Sequence, residues 1–436
     1  MFSFIRDRFI ELEFPYQIPD CQIWPESQNN DESYKNSDKR RTRRSNEPEI
    51  VHVPREPSSN STSESPKIIE FVEKYTYPVN KFLQDSPIQP EKSEYKRLKE
   101  IDQRKHVIPF SSDVAKLSEN RKFNRYINIL PYDFNRIKLK TPIDGIDYIN
   151  GNYITGQLSM GDSGKDIIEE KPVKAFEFSK FRYINFLATQ GPLQITLPHH
   201  WQAIYENDVD IIVMLTKLKE GGDADHPGMG TVKCSQYWPR TKEYPINVGN
   251  FRIDLEEETD FTSDIKKRIL SIRNIDDTVN KSEAKKITQL HFVGWPDYGV
   301  PEGDDILSLS NLVKKVRYII QSNQTKISEG KRFNILVHCS AGVGRTGTFI
   351  IMYKIMDQIE EMFADNSVET QNIDIFNEVL SLRSKRVEMV QSWAQYQFLY
   401  KSISEYAKYI KSLNDTSGDY VDLDEDPTPY LDNKLS

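Results

Sequence analysis

Ten residues in the last quarter of the chain, His338 to Gly347, restrict its fold and its chemistry more than any other stretch. They read His-Cys-Ser-Ala-Gly-Val-Gly-Arg-Thr-Gly, between an apolar run at 333–337 and an apolar run with helical spacing at 346–363. This order predicts a buried strand, a tight loop and a helix. The three glycines let the loop curl, so that backbone N–H groups and the helix N-terminus converge on one point. Such a concavity favours a phosphate or another oxyanion.

Two side chains of this loop carry reactive chemistry. The positive field of the loop favours the thiolate form of Cys339, and a thiolate is a strong nucleophile. Arg345 can return across the loop and bind two phosphate oxygens at once. The same Cys-x5-Arg spacing recurs at Cys234 and Arg240, but that loop has no glycine and contains Pro239, which lacks an N–H. We therefore expect the anion site around Cys339, with a buried inert cysteine as the alternative.

The stretch His338 to Gly347 closely resembles the signature of the protein tyrosine phosphatases. Further blocks of that family occur in the family's order, before and after this stretch, over about residues 119–400. The resemblance implies an α/β fold, a single domain with a twisted mixed sheet between helices, and neither metal nor cofactor. It implies that Thr346 donates to the thiolate. His338 is expected to hold the loop or to favour the thiolate, with an ordinary core histidine as the alternative. The residues expected to bind substrate here are Cys339, Ser340, Ala341, Gly342, Val343, Gly344 and Arg345.

A second family block, at 291–301, contains Trp-Pro-Asp and supplies a proton donor. Expelling a tyrosine oxygen from a phosphate ester needs an acid positioned opposite the attacking sulfur. We expect Asp297 to be this acid, kept protonated in a dry, anionic pocket and in contact with the substrate. In the family this loop closes over bound phosphate. Pro-Asp-x-Gly also fits an ordinary turn, so the assignment depends on the presence of the Cys339 block.

The block at 122–133 resembles the family segment that sets the depth of the pocket. By this resemblance the ring of Tyr126 stacks on the substrate ring, and short phosphoserine cannot reach the cysteine. Asn128 is expected to bond the substrate backbone, and Ile129 is expected to line the pocket wall. The alternative for Tyr126 is an aromatic side chain that simply packs in the core.

The block at 387–400 resembles the segment whose glutamines orient the water that hydrolyses the cysteinyl-phosphate. Gln391 is assigned this catalytic and substrate-binding role ahead of Gln395. Where the family commonly has Arg-Pro-Gly-Met, this chain has Arg-Val-Glu-Met at 386–389, so we expect a different loop before Gln391.

Two insertions interrupt the family pattern. Polar residues at 157–174 are interpreted as a surface insertion. An enlarged Gly-rich loop separates Glu220 from Lys233, which resemble the glutamate and lysine that border the active site in the family. The added length leaves open whether these two residues reach the site.

The remaining sequence is polar, and the hydrophobic fraction of the 436 residues is 37%. Such stretches cannot bury enough apolar surface to offset the entropy of ordering. We expect an apolar segment of unknown role at 1–24, a disordered basic and polar linker at 25–66, the phosphatase domain at 67–412 and an acidic disordered tail at 413–436. The net charge of −8 argues against a nucleic-acid partner. No run reaches the roughly 18–20 apolar residues of a membrane span.

Location and partners are inferred from cysteine content and from one basic run. The three cysteines form no disulfide framework, and a thiolate nucleophile needs a reducing compartment. The cytoplasm is therefore the expected location, with the nucleus second because of the basic run at 35–44. Arg43-Arg44, a six-residue spacer and Val51-His-Val53 resemble the docking peptides that bind mitogen-activated protein kinases. A nuclear-import signal and plain solvated charge are the alternatives.

Together these patterns predict hydrolysis of phosphotyrosine in proteins through a cysteinyl-phosphate intermediate, in intracellular signalling. Two other functions stay open, a catalytically silent phosphotyrosine-binding module and a dual-specificity phosphatase. Intact Cys339, Arg345 and Asp297 disfavour the silent module, because a module without turnover needs no proton donor. Tyr126 disfavours the dual-specificity enzyme, since its block predicts a deep pocket.

Overall fold

A computed structural model gives the structure of residues 75–85, 88–103, 110–154, 184–221, 230–276 and 284–417. Several features interpreted above lie outside these residues. They are the segments 1–24 and 25–66 with the docking pattern, the insertion at 157–174, and the sequence after 417.

One nine-stranded mixed sheet runs through the domain, in the order β2-β3-β4-β12-β5-β11-β10-β9-β8. The strands in the described residues are β1 (Tyr77–Pro78), β2 (Arg136–Ile143), β3 (Ile146–Tyr153), β4 (Ile184–Thr189), β5 (Val209–Met214), β6 (Lys219–Glu220), β7 (Thr231–Val232), β8 (Ile246–Val248), β9 (Phe251–Thr262), β10 (Ile265–Asn274), β11 (Lys285–Phe292), β12 (Phe333–His338) and β13 (Asn372–Ile373). The four central strands β4, β12, β5 and β11 are parallel, and antiparallel strands extend the sheet on both sides.

Helices cover both faces of this sheet. The described helices are α1 (Val79–Phe82), α2 (Lys92–Gln103), α3 (Asp113–Lys116), α4 (Leu197–Glu206), α5 (Ser308–Ser322), α6 (Gln324–Ser328), α7 (Gly344–Ala364), α8 (Ile375–Lys385) and α9 (Trp393–Ser417). The predicted α/β class, with a mixed sheet between helices, is confirmed. None of the described helices combines the length and the apolar composition that a membrane crossing requires.

Two helix boundaries differ from the sequence prediction. Apolar residues at helical spacing predict an amphipathic helix over residues 305–321. In the structure this segment begins as a 3-10 turn at Gly303–Leu307, and the α-helix starts at Ser308. Gly303 has a φ of +59°, so the chain makes a left-handed turn just before this helix can form. Helix α9 continues to Ser417, past the domain end expected at residue 412.

The central strand β12 shows how the sequence selects this layered fold. Ile335 and Val337 are fully buried against the helices α5, α7, α8 and α9, while Leu336 is fully buried on the opposite face with Trp201 of α4. Because successive strand residues point to opposite faces, the consecutive apolar residues 335–337 must be covered on both. Burial of each such side chain contributes about 1.5–3 kcal/mol.

The parallel strands bring four chain segments to one edge of the sheet. His338 at the end of β12 pairs with Thr189 of β4 and with Met214 of β5. Met214 in turn pairs with His291 of β11. The carboxyl ends of these strands are therefore level, and the loops that follow them share one edge, which is where open α/β sheets bind ligands.

Candidate active site

The sulfur of Cys339 lies at the centre of this edge and accepts two hydrogen bonds. Its Sγ is 3.3 Å from the backbone N of Gly342 and 3.4 Å from Oγ1 of Thr346. The side chain is 5% exposed, and α7 begins a few residues later with its N-terminus directed at the loop. Donors and a helix N-terminus both stabilise negative charge on sulfur, so the geometry suits a reactive thiolate.

The three glycines of the loop serve two different purposes. Gly342 has a φ of +73°, and a Cβ on it would lie 2.0 Å from the carbonyl oxygen of Thr189. Gly344 and Gly347 do not have positive φ. They allow close approach, since a Cβ on Gly344 would lie 2.8 Å from the side-chain amide of Gln395. The expectation that all three glycines curl the backbone holds only for Gly342.

His338 holds the loop as a neutral histidine. Its Nδ1 is 3.1 Å from the carbonyl oxygen of Cys339, which can only accept, so Nδ1 carries the proton. Its Nε2 is 2.8 Å from the hydroxyl of Tyr237, which receives a hydrogen bond from Gln289. Complete burial lowers the pKa of His338 to about 4. The histidine thus fixes the backbone of the nucleophile without adding positive charge.

A buried cation, Arg386, supports the loop from below. It donates to the carbonyl oxygens of Gly342 at 2.8 Å and Ala341 at 3.0 Å, and to the side-chain oxygens of Asn150 and Asn152. Burial lowers the pKa of Arg386 to about 10. Sequence reasoning mentions this arginine only as part of a variant pattern and misses its contacts. Because its neighbours include Lys385 and Glu388, no local pattern distinguishes this arginine from a solvated one.

Arg345 follows the loop formed by residues 339–343, the sulfur loop, and is held there by an acidic partner. Its Nη1 and Nη2 bind the carboxylate of Glu220 at 2.5 and 2.9 Å, and Nη1 also donates to the carbonyl oxygen of Leu215. Its guanidinium lies over the ring of Trp295, 5.5 Å from the centroid. Two-pronged pairing orients the guanidinium plane, which prepares it for an oxyanion. Glu220 therefore reaches the site, although the sequence leaves this open.

Asp297 follows β11 on a loop anchored by Trp295, whose indole N–H donates to the carbonyl oxygen of Gly299 at 3.1 Å. Its carboxylate accepts from the backbone N of Gly221 at 2.9 Å and from Nζ of Lys217 at 3.1 Å. The Gly221 hydrogen bond, reinforced by Lys217, lowers the pKa of Asp297. The expectation of a protonated carboxyl in a dry pocket is wrong for this arrangement, because two donors favour the carboxylate and the side chain is 27% exposed.

The segment that is expected to set pocket depth lies against the sulfur loop. The hydroxyl of Tyr126 is 2.8 Å from Oγ of Ser340, which donates to the carbonyl oxygen of Lys233 at 3.0 Å. Asn128 is exposed, whereas Ile129 is 1% exposed and belongs to the same apolar cluster as Tyr126. The structure thus brings Tyr126 to the site and places the Lys233 backbone beside it.

Arg125 fixes this segment, and sequence reasoning does not single it out. The buried guanidinium donates to the carbonyl oxygens of Gly191, Pro192 and Val232, at 3.1, 2.9 and 3.2 Å. The loops after β4 and before Cys234 are thereby joined to the residue next to Tyr126. A lone arginine in a polar block carries no sequence pattern that would indicate such a role.

The two glutamines of the last block have different surroundings. Nε2 of Gln391 donates to Oε2 of Glu388 at 2.9 Å. Gln395 lies against Gly344, and its Oε1 accepts from the backbone N of Ser392 at 3.3 Å. The altered loop before Gln391 therefore supplies this glutamine with a carboxylate partner.

Known proteins match the part of the chain that builds this site. The family model for protein-tyrosine phosphatase matches residues 120–405, so the chain belongs to the protein-tyrosine phosphatase family. It is 33% identical over 305 residues to receptor-type tyrosine-protein phosphatase alpha from Homo sapiens, a match covering 69% of this chain and 31% of that protein. It is 36% identical over 316 residues to receptor-type tyrosine-protein phosphatase eta from Gallus gallus, covering 72% and 18%.

A relative without the receptor designation also matches. Tyrosine-protein phosphatase non-receptor type 20 from Rattus norvegicus is 34% identical over 298 residues, which cover 68% of this chain and 57% of that protein. The chain thus spans less than a third of the two receptor-type relatives and somewhat more than half of this one.

Proposed function

We propose that this chain hydrolyses phosphotyrosine in proteins through a cysteinyl-phosphate intermediate. The observation that carries the proposal is the sulfur of Cys339, which accepts bonds from Gly342 and Thr346 beside a helix N-terminus. A sulfur that accepts rather than donates is suited to attack phosphorus. Membership of the protein-tyrosine phosphatase family supports the same reaction.

In the first step the Cys339 thiolate attacks phosphorus, so an S–P bond forms while the bond from phosphorus to the tyrosine oxygen breaks. The loop amides and Arg345 stabilise the charge that spreads over the three remaining oxygens. Asp297 transfers its proton to the departing phenolate. For this transfer its loop exchanges the contacts with Gly221 and Lys217 for the leaving oxygen, and the negative phosphate favours the protonated carboxyl.

In the second step water attacks the cysteinyl-phosphate, an O–P bond forms and the S–P bond breaks. Asp297 takes one proton of the water, and Gln391 orients the water by accepting a hydrogen bond from the other O–H, whose proton stays on the phosphate formed. The sulfur leaves as a thiolate because Thr346 and Gly342 again donate to it. Inorganic phosphate is the product, and the protonated Asp297 is ready for another cycle.

Selectivity for phosphotyrosine is assigned to Tyr126. Its contact with Ser340 supports this role, because the ring stands beside the loop that holds the phosphate. Ile129 packs in the same apolar cluster as Tyr126 and is assigned to the pocket wall beside it. Asn128, exposed at the rim, is assigned the bond to the substrate backbone.

A mitogen-activated protein kinase is proposed as one phosphotyrosine substrate, and the cytoplasm as the location. The support is the pattern Arg43-Arg44 followed by Val51-His-Val53, which resembles kinase-docking peptides. A tethered tail would raise the local concentration of phosphotyrosine near the pocket without altering the chemistry.

The proposal is tested with the full chain on matched phosphotyrosine and phosphoserine peptides, followed by acid quenching during turnover. We expect strong preference for phosphotyrosine and phosphate bound covalently to Cys339. Comparable rates on both peptides would favour the dual-specificity enzyme. Binding of phosphotyrosine peptides without turnover would favour the silent module.

A further inference from the structure

The loop before Gln391 contains two residues in an unfavourable backbone conformation. Glu388 has a φ of +54° and Val390 has a φ of +56°. Left-handed backbone is uncommon outside glycine, and a β-branched residue such as valine is a clear outlier. Strain of this kind persists only where the surrounding structure enforces it, and it concentrates at functional sites.

Contacts from both sides enforce this conformation. The fully buried Arg383 donates from Nε to the carbonyl oxygen of Met389 and from Nη2 to that of Val390, both at 2.9 Å. The backbone N of Val390 donates to the carbonyl oxygen of Val343, in the sulfur loop itself, at 3.2 Å. Arg383 is in turn fixed by Asp102 at 2.7 Å. The strained loop is therefore part of the framework that holds the anion site.

The strained backbone directs the carboxylate of Glu388 to the amide of Gln391. The distance from Gln391 Nε2 to Glu388 Oε2 is 2.9 Å, and the hydroxyl of Tyr95 donates to the Gln391 carbonyl oxygen. A carboxylate accepts but cannot donate, so it selects the NH2 end of the amide. With Nε2 held by Glu388, Oε1 is the end of the amide that can accept a hydrogen bond.

We propose that Glu388 is a positioning residue for the hydrolysis step, because it fixes the orientation in which Gln391 meets the attacking water. This inference rests on the proposed function, and it concerns only the second step of that reaction. The first step, attack by Cys339 on the aryl phosphate, does not use Gln391. The two steps therefore separate the role of Glu388 from a general effect on the site.

The test compares Glu388→Gly, Glu388→Gln and the wild type by rapid mixing with an aryl phosphate. Glycine relieves the left-handed strain while it removes the carboxylate, so the variant stays folded. We expect Glu388→Gly to lower kcat about tenfold, the effect of one lost hydrogen bond to a charged group, with kcat/KM unchanged. A burst of aryl alcohol then precedes a slow steady state. Glu388→Gln keeps an acceptor for the Gln391 amide, and we expect it to restore most of kcat.

Asn366 provides the matched control, because it also has positive φ, +52°, and is exposed beyond α7. Asn366→Gly must leave kcat and the burst unchanged. An equal fall of kcat and kcat/KM in Glu388→Gly, or no fall at all, overturns the positioning role. Failure of the proposed function looks different, since the wild type itself would then show neither turnover nor covalent phosphate on Cys339.

Discussion

Two loops of this molecule have the same Cys-x5-Arg spacing and opposite hydrogen bonding at the cysteine sulfur. In the first, Cys339 accepts hydrogen bonds at its sulfur from Gly342 and Thr346. In the second, the sulfur of Cys234 donates to the carbonyl oxygen of Ser235 at 3.2 Å. Burial raises the pKa of Cys234 to about 12, so this cysteine stays a thiol. The difference teaches that the surrounding donors, rather than the spacing, make a cysteine reactive.

The loops also differ in what lies around the arginine. Arg345 is bound by Glu220 beside the sulfur loop, whereas Arg240 is exposed after a buried Trp-Pro pair. Yet the second loop supports the first, because its Tyr237 contacts the ring nitrogen of His338. The second loop is thus a structural support for the first.

The comparison is tested most severely by replacing each cysteine with serine. We expect Cys339→Ser to lower turnover of an aryl phosphate by about 10⁴-fold or more, because it removes the nucleophile. Phosphate binding should persist, since the loop amides and Arg345 remain. Cys234→Ser is the matched control and should retain turnover within a few-fold. Loss of turnover in Cys234→Ser with an intact fold would contradict the contrast.

Asp297 follows β11 at the same edge of the sheet as the first loop, and its replacement tests the proposed proton donor. We expect Asp297→Ala to lower kcat about 10²–10³-fold for phosphotyrosine peptides, with substrate binding retained. The loss should shrink for aryl phosphates whose leaving groups have low pKa values, because those need no proton. Steady-state kinetics over a leaving-group series gives the answer. A loss independent of the leaving group would exclude general-acid catalysis by Asp297.

Replacing the buried Arg386 removes a support that holds the backbone of the first loop. We expect Arg386→Met to lower the free energy of unfolding by about 2–4 kcal/mol, because the oxygens of Gly342, Ala341, Asn150 and Asn152 lose their donor. Urea denaturation followed by tryptophan fluorescence measures this change. Arg240→Met, at the exposed position of the second loop, should alter stability by less than about 0.5 kcal/mol. Equal effects of the two substitutions would show that Arg386 does not support the loop.

The smallest expected effect concerns the lowered pKa of Asp297. In the proposed mechanism the acid must be protonated, so activity is expected to fall as pH rises through this pKa. Lys217→Met removes one of the two donors that favour the carboxylate, and the alkaline limb of kcat/KM should therefore move to higher pH. Lys217 is 44% exposed, and solvent screening keeps the shift below about one pH unit. A limb that moves to lower pH would refute the stated cause.

The same contact carries a stability effect of known sign. A carboxyl whose folded pKa is lowered stabilises the fold above its unfolded pKa of about 4 and loses that contribution as pH falls. Lys217→Met should therefore reduce the difference in stability between pH 6 and pH 3. Denaturation at both pH values measures this difference in stability. An unchanged difference would contradict the coupling between Lys217 and the ionisation of Asp297.

Local sequence patterns are sufficient to predict those parts of the fold whose residues are contiguous in sequence. The strand, loop and helix around Cys339 are confirmed at Phe333–His338 and Gly344–Ala364. Glycine spacing and apolar runs are local, so they can be read without a fold. The residues assigned to catalysis remain predictions that the experiments above address.

Contacts between distant segments could not be predicted in this way. Arg386 and Arg125 donate to carbonyl oxygens far away in sequence. Every residue has a backbone carbonyl, so the amino-acid pattern cannot show which one is contacted. The contact of Asp297 with Gly221 uses a backbone N–H for the same reason. The left-handed conformation of Glu388 depends on Arg383, through bonds to its neighbours Met389 and Val390.

The level strand ends have a consequence for how such a protein can change. Backbone hydrogen bonds between β4, β12, β5 and β11 fix the relative positions of the strand ends, at Thr189, His338, Met214 and His291. These positions do not depend on the sequence that follows each strand. Sequence can therefore be added between Glu220 and Lys233 while the distance from β5 to the sulfur loop stays the same. Loops at this edge of the sheet can therefore change in length and sequence while the strand ends that position the loop of Cys339 keep their alignment.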